Sequence, residues 1–359
     1  MASTNTWQPN WALLPGEVLA EELENRDMSQ SELARRMGRP VKTINEIVNG
    51  KAAITPETAL QLELALGISS GMWLGLETHY RSQIARAKAQ DELSKHVAWA
   101  KQFPLADLRR AGLLGDATGP DLVGALLGFF GVSSVKAWNG HWVEHAAYRR
   151  AESFESNEYA VAAWLRWGER AALEMEVEGF DKTRLTAFVV NIRPLTREEP
   201  FSDVLEEVGE ELAACGVALV LTPELNGTRL SGAARWLTSN KALVQVSMRY
   251  RSDDQFWFTL LHELFHLLDS RRSDHLDGDE IATDDAAESR VNEQARDLLI
   301  PPYEYERFVN ATPDLTREAV RDFAKTLSVS PGILVGRLQR DRHLAPSTLN
   351  DLKRRIDWF

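Results

Sequence analysis

The sequence predicts a mainly α-helical protein with a small β-sheet. The expected order is an all-α helix-turn-helix unit, a helical middle region and a C-terminal α+β unit. Three observations carry this expectation. Between Ser29 and Gly50, two short amphipathic helices meet at a glycine turn. Between residues 217 and 246, short apolar runs are separated by turn residues, as β-strands are. From Phe256 to Asp269, an apolar helical run holds the word His262-Glu263-Leu264-Phe265-His266. The expected boundaries are residues 1–81, 82–200, 201–343 and a tail at 344–359.

Composition bounds the reading. A chain of 359 residues is long enough for two or three domains with their own cores. A net charge of −12 argues against a nonspecific nucleic-acid coat, although a small DNA-reading module can sit inside an acidic chain. One cysteine, Cys215, allows no internal disulfide, reads as a small buried hydrophobe and fits a reducing cytoplasm. Met1 to Trp7 offers neither the basic nor the apolar part of a secretory signal. The longest apolar stretch, Leu122 to Val132, is short for a bilayer and interrupted by glycines, so no membrane partner is expected.

The N-terminal elements follow from their caps. Val18, Leu19 and Leu23 mark one face of a first helix. Ser29 and Glu32 form a capping-box pattern, and the helix they open stops at Gly38. Val41, Ile44, Ile47 and Val48 make the apolar face of the next helix, which ends at Asn49-Gly50. Its outward residues, Lys42, Thr43, Asn45 and Glu46, are types that read base edges, and Gln30, Arg39 and Lys51 are placed for phosphates. The plain alternative is a solvated polar face. Pro15-Gly16-Glu17-Val18-Leu19, Ile47-Val48-Asn49-Gly50-Lys51, Ile54-Thr55-Pro56-Glu57-Thr58-Ala59-Leu60 and Trp73-Leu74-Gly75-Leu76-Glu77-Thr78-His79-Tyr80 resemble the HigA-type antitoxins of the Cro/C1 (XRE) repressor family. That resemblance covers residues 12–81. It implies a five-helix fold, usually a homodimer, that binds double-stranded operator DNA at its own promoter.

The middle region reads as helices at residues 82–101, 107–114, 121–130, 158–176 and 180–190. Trp164 and Trp167 are read as core rather than as nucleobase platforms. His141 and His145 lie four apart, but Gly140 precedes them and Trp142 stands where a catalytic glutamate would be. A spacer or sensor role is open for this region.

The chemistry concentrates after residue 200. A helix over 202–215, a strand over 217–221, the turn Asn226-Gly227 and strands over 230–237 and 242–246 precede the apolar helix. An edge strand beside a metal helix would let an extended peptide add by main-chain hydrogen bonds. Residues four apart on a helix share a face, so His262 and His266 can grip one ion while Glu263 acts on a water beside it. Catalytic zinc takes three protein ligands and keeps a fourth position for water. The metzincin pattern needs a glycine at position 269 and a histidine at 272, where this chain has Asp269 and Arg272. His275, in an acidic loop, and a carboxylate from the helix over 286–295 both remain candidates for the third ligand. Asp269 is a candidate partner for His266, and Tyr303, Tyr305 and His275 are candidates to steady an oxyanion. Asp284, Asp285 and Glu293 read as solvated charge.

Phe258-Thr259-Leu260-Leu261-His262-Glu263-Leu264-Phe265-His266, followed by Glu288-Ser289-Arg290-Val291-Asn292-Glu293-Gln294-Ala295-Arg296-Asp297-Leu298-Leu299-Ile300-Pro301, resembles the ImmA/IrrE metallopeptidases. The match extends over about residues 201–343 and departs from the family pattern at Phe265, Val291 and Gln294. It implies a zincin-like domain in which Glu288 is the third ligand to zinc, or to manganese in its place, and Glu263 is catalytic. Family members cleave Cro/C1-type repressors, so a zinc endopeptidase acting on its own repressor half, a sister subunit or a partner regulator is expected. The rival expectation is an antitoxin or repressor that holds a toxin and carries a structural metal. Two short helices near 313–338 are expected to serve packing and substrate contact, and the tail with Lys353, Arg354 and Arg355 is expected at the surface.

Overall fold

The computed structural model describes residues 13–143, 157–247, 249–269 and 285–356. The chain falls into two compact units, residues 1–97 with 118–124, and residues 98–117 with 125–359. Among the described residues it is mainly helical with one three-stranded sheet.

The first unit contains α1 (Pro15–Glu24), α2 (Gln30–Met37), α3 (Val41–Val48), α4 (Pro56–Leu66) and α5 (Ser70–Ser94). Its core is Leu19, Leu23, Leu33, Ala34, Ile44, Ile47, Leu62 and Trp73, the inward residues expected from the helical spacing together with the α4 and α5 anchors. Ser29 caps α2 by accepting from the Glu32 amide at 3.1 Å. The reciprocal half of the capping box is not formed, because Glu32 turns to Arg35 and Arg36. Gly38 closes α2 in the left-handed region at φ 64°, where a side chain would be strained. Val41, expected inward, is 45% exposed at the first turn of α3. No break separates the fifth helix from the expected connecting helix. Instead α5 runs 25 residues without interruption, anchored by buried Trp73 and by Glu77, which accepts from the Ile54 amide and pairs with Arg81.

Between the first five helices and the sheet come α6 (Val97–Ala100), α7 (Leu105–Arg110), α8 (Gly119–Phe130), α9 (Val135–Trp138), a π-helical turn (Asn139–Val143), α10 (Glu158–Glu174) and α11 (Lys182–Val190). Trp99, Phe103, Phe130, Trp138 and Tyr159 form one aromatic cluster, with Trp138 stacked on Tyr159 at 5.2 Å. Trp99 and Trp138 therefore serve packing, as does fully buried Trp164, while Trp167 is half-buried. Residues Gly119–Trp142, which include α8 and α9, are long and apolar enough to cross a membrane by length and composition alone, a test that core helices of soluble proteins also pass; 44% of the most apolar window is buried.

The second unit is built on α12 (Phe201–Ala214), β1 (Val217–Leu221), β2 (Gly232–Thr238), β3 (Lys241–Val246), α13 (Asp253–Asp269), α14 (Asp285–Leu299), α15 (Pro302–Ala311), α16 (Arg317–Thr326) and α17 (Pro331–Arg340). The strands lie in the order β1-β3-β2, with β1 parallel and β2 antiparallel to β3. Both faces of the sheet are covered, which explains its nearly unbroken apolar sequence. Ala218, Val220 and Leu243 meet Ala172 of α10 on one face. Val217, Leu219, Ala242, Val244 and Val246 join the core of α12 and α13 on the other. The middle-region helix α10 is thus one layer of the same unit.

Helix α13 is buried almost all round. Its less buried residues, Gln255, Phe258, His262, Phe265 and Asp269, recur every three to four positions and form a single stripe. Its N-terminus is held by a polar knot. Asp253 is fully buried and accepts from Ser330 Oγ at 2.5 Å, Arg354 Nε at 3.1 Å and the Arg354 amide at 2.9 Å. Lys353 pairs with buried Asp254 at 2.8 Å. The C-terminal segment is therefore not the surface tail expected from its charges: Leu352 and Ile356 enter the core, and Lys353 and Arg354 bond inward. Arg355 is bridged through its backbone to Ser252.

Removing one partner of a buried ion pair strands the other. Asp253→Ala should lower the unfolding free energy of the full chain by about 3 kcal/mol in urea denaturation. A loss below about 1 kcal/mol would show that the knot does not hold α13.

Candidate functional site

Helix α13 carries His262 and His266 one turn apart, and α14 packs across it bearing Glu288. The three donors converge. The two Nε2 atoms are 2.9 Å apart, His262 Nε2 is 3.4 Å from Glu288 Oε2, and His266 Nε2 is 3.1 Å from Glu288 Oε1. Imidazole nitrogens bound tetrahedrally to zinc at 2.0–2.1 Å stand roughly 3.3 Å from one another, so the spacing and chemistry of this donor set fit that ion. His266 is buried, while His262 and Glu288 are half-buried, which leaves one side of the group open. Burial opposes ionisation of Glu288, but the two facing imidazoles outweigh it and hold its carboxyl far below the usual carboxylate range. His275, the other candidate third ligand, lies outside the described residues, as do Arg272, Asp284 and His145.

Glu263 lies one residue round from His262. It is 3% exposed, and its Oε2 has no hydrogen-bond partner among the described residues. Strand β2, an edge of the sheet, begins directly against it. A Cβ placed on Gly232 would lie 2.7 Å from Glu263 Oε1 and 2.7 Å from Thr259 Cγ2, so only glycine lets the strand come this close. Sequence reading placed Gly232 inside a strand over 230–237; a glycine within an otherwise apolar strand was the available signal of a close approach.

The expected supporting residues are placed elsewhere. Asp269 pairs with Arg290 at 3.1 Å rather than with His266. Tyr303 is 71% exposed. Tyr305 is buried beneath the Arg337 guanidinium, 4.7 Å from its ring, where burial and the nearby Asp341 carboxylate push its hydroxyl above the usual phenol range. Glu293 is exposed, as expected of a solvated charge.

In the first unit, α3 presents Lys42 and Asn45 to the surface, with Thr43 half-buried. Asn45 Nδ2 donates to Gln30 Oε1 at 3.4 Å, joining the start of α2 to the outer face of α3. Lys42 reaches only toward Glu46, at 3.8 Å, and Lys51 is exposed. The Arg39 guanidinium, expected at a phosphate, bonds to Gln61 and pairs with Glu57 at 3.0 Å on α4.

A helix-turn-helix family profile matches residues 19–73. The uncharacterized HTH-type transcriptional regulator YddM of Escherichia coli (strain K12) is 35% identical over 81 residues, which are 23% of this chain and 84% of that protein. The chain belongs to the helix-turn-helix family. Virulence-associated protein I of Dichelobacter nodosus is 36% identical over 80 residues, 22% of this chain and 74% of its own length. A solved antidote protein of a HigA family from Coxiella burnetii aligns at 37% identity and a TM-score of 0.23, over 24% of this chain and 95% of that one.

In this helix-turn-helix protein the donor group generates a direct expectation. Zinc titrated into chelator-treated protein should bind at about one ion per chain, and His266→Ala and Glu288→Ala should each weaken it at least tenfold, as removal of a ligand does. Equal zinc content in all three proteins by mass spectrometry would dismiss the triad.

Proposed function

We propose that the chain is a DNA-binding regulator whose second unit is a zinc-dependent endopeptidase, with a repressor-class protein as substrate. One observation carries the reading: His262, His266 and Glu288 converge beside Glu263 at the head of an edge strand. His262 Nε2, His266 Nε2 and a Glu288 oxygen would hold the ion. Bound there, zinc, or manganese in its place, supplies Lewis-acid polarisation of a carbonyl and acidifies a coordinated water.

The chain's own residues account for the rest. The Glu263 carboxylate accepts the proton of the attacking water and returns it to the leaving amine. Its burial among apolar side chains keeps bulk water from competing for that proton. The outer edge of β2, which pairs with no other strand among the described residues, receives an extended peptide by main-chain hydrogen bonds, and Gly232 brings that strand against Glu263. On α3, Lys42, Thr43 and Asn45 face base edges, while Gln30 and Lys51 meet phosphates. Leu60 and Leu64, one turn apart on α4 and 56% and 89% exposed, form an apolar surface suited to a homodimer contact. The same surface favours a second reading, an antitoxin-type repressor that holds a toxin while the metal serves structure.

Intact-mass analysis separates these readings. Wild-type protein with zinc should cut itself or a co-expressed helix-turn-helix repressor, and Glu263→Gln should slow cutting by about 10²–10⁴-fold. Fragments that form equally fast in both proteins, or a stable co-purifying toxin with no cleavage, would reject the peptidase. For the first unit, Lys42→Ala with Asn45→Ala should weaken promoter binding by about 1–3 kcal/mol for each lost base contact in a mobility-shift assay. Undiminished binding would remove α3 as the recognition helix.

A further inference from the structure

The second unit contains a cavity of about 350 Å³ between α13, α14 and α17. That size suits a small organic ligand. Phe258, Leu299, Ile300 and Ile333 give it apolar walls.

Four cations and one acid also line it, and three of the cations are matched. Arg296 bonds to Asp297 at 3.1 Å, Lys353 pairs with Asp254 at 2.8 Å, and Arg337 pairs with Asp341. Arg340 makes no ion pair among the described residues; its guanidinium stands 5.2 Å over the Phe258 ring. Arg337 retains donor capacity despite its pairing. Asp341 takes its Nε and the Tyr305 ring lies under its plane, yet its Nη1 is buried with no hydrogen-bond partner among the described residues. Arg337 and Arg340 are three residues apart and share a face of α17. A guanidinium offers a planar fork of N–H donors that matches a carboxylate and accepts no hydrogen bond. A buried donor left unmatched is costly, so the site favours an anion that can reach it.

The cavity is distinct from the donor triad. Phe258 stands one turn before His262 with the rings 6.2 Å apart, and Asp254 and Gln255 lie roughly 12 Å along the helix from it. Asp254 would repel an anion, but Lys353 neutralises it.

We propose that this cavity binds a small organic carboxylate with an apolar body. The carboxylate engages Arg337 and Arg340, and the hydrocarbon lies against Phe258, Leu299, Ile300 and Ile333. This inference does not depend on the peptidase reading, because no metal ligand takes part.

Isothermal titration of octanoate into the full chain tests it, with octanamide as the uncharged comparator. In chelator-treated protein, octanoate should bind and octanamide should bind about tenfold more weakly, the effect of losing a charge-assisted hydrogen bond. Arg340→Glu, at an exposed position, should weaken octanoate about tenfold or more. Ile333→Phe, which grows into the cavity, should weaken both compounds while the thermal unfolding midpoint stays near wild type. Absent octanoate binding, equal binding of octanamide, or binding by Arg340→Glu and Ile333→Phe at wild-type strength would each overturn the proposal. Binding that needs zinc and ignores Arg340→Glu would assign octanoate to the donor triad instead and would also overturn it.

Discussion

Helix α13 is packed on every side but one narrow stripe, and that packing aims His262, His266 and Glu263. Phe256, Trp257, Leu260, Leu261, Leu264, Leu267 and Leu268 are all buried in the main core. Each such side chain contributes about 1.5–3 kcal/mol through removal from water. Rotating the helix by one residue would expose several of them and turn both histidines away from Glu288. The helix therefore has one orientation of lowest energy, and the donors inherit it.

Polar contacts fix its remaining freedom, sliding along its axis. The Asp253 knot ties the first residue of α13 to the start of α17, to Arg354 near the chain's end and, through Ser330 and Thr196, to the turn at Pro194–Arg197. Burial opposes the charge of two carboxylates in this unit, with opposite outcomes. Burial pushes the Asp253 carboxyl above its usual range even though Ser330 and Arg354 favour its charge. At Glu288 the two imidazoles overcome burial and keep the group ionised. Enclosure adds to the difference the imidazoles make: Asp253 has no exposed surface, whereas Glu288 retains 23% of its side chain at the opening. A charge loses solvation steeply as the last water contact is removed.

Local signals made much of this legible. Ser29, Gly38 and Asn49-Gly50 marked the ends of α2 and α3 because caps and left-handed turns depend on a few adjacent atoms. Strand β1 matched its expected bounds because both sheet faces are apolar. The reading failed where a partner lies far along the chain. Lys353 and Arg354 looked like surface charge because Asp253 and Asp254 are about a hundred residues away. The contacts of Arg39 with Glu57 and Gln61 were not legible because both belong to another helix. Asp269 looked like a histidine partner one turn on, yet Arg290 competes for it from α14.

By itself, the sequence determined that His262 and His266 share a face, that Glu263 sits beside them and that Ser29 to Gly50 form a helix-turn-helix, because helical periodicity and capping are local. Only the tertiary structure decided that Glu288 reaches both histidines, that Gly232 brings an edge strand onto Glu263 and that α10 covers the far face of the sheet. Those placements come from packing between segments distant in sequence, where shape, burial and charge must be satisfied together and no local pattern specifies the partner.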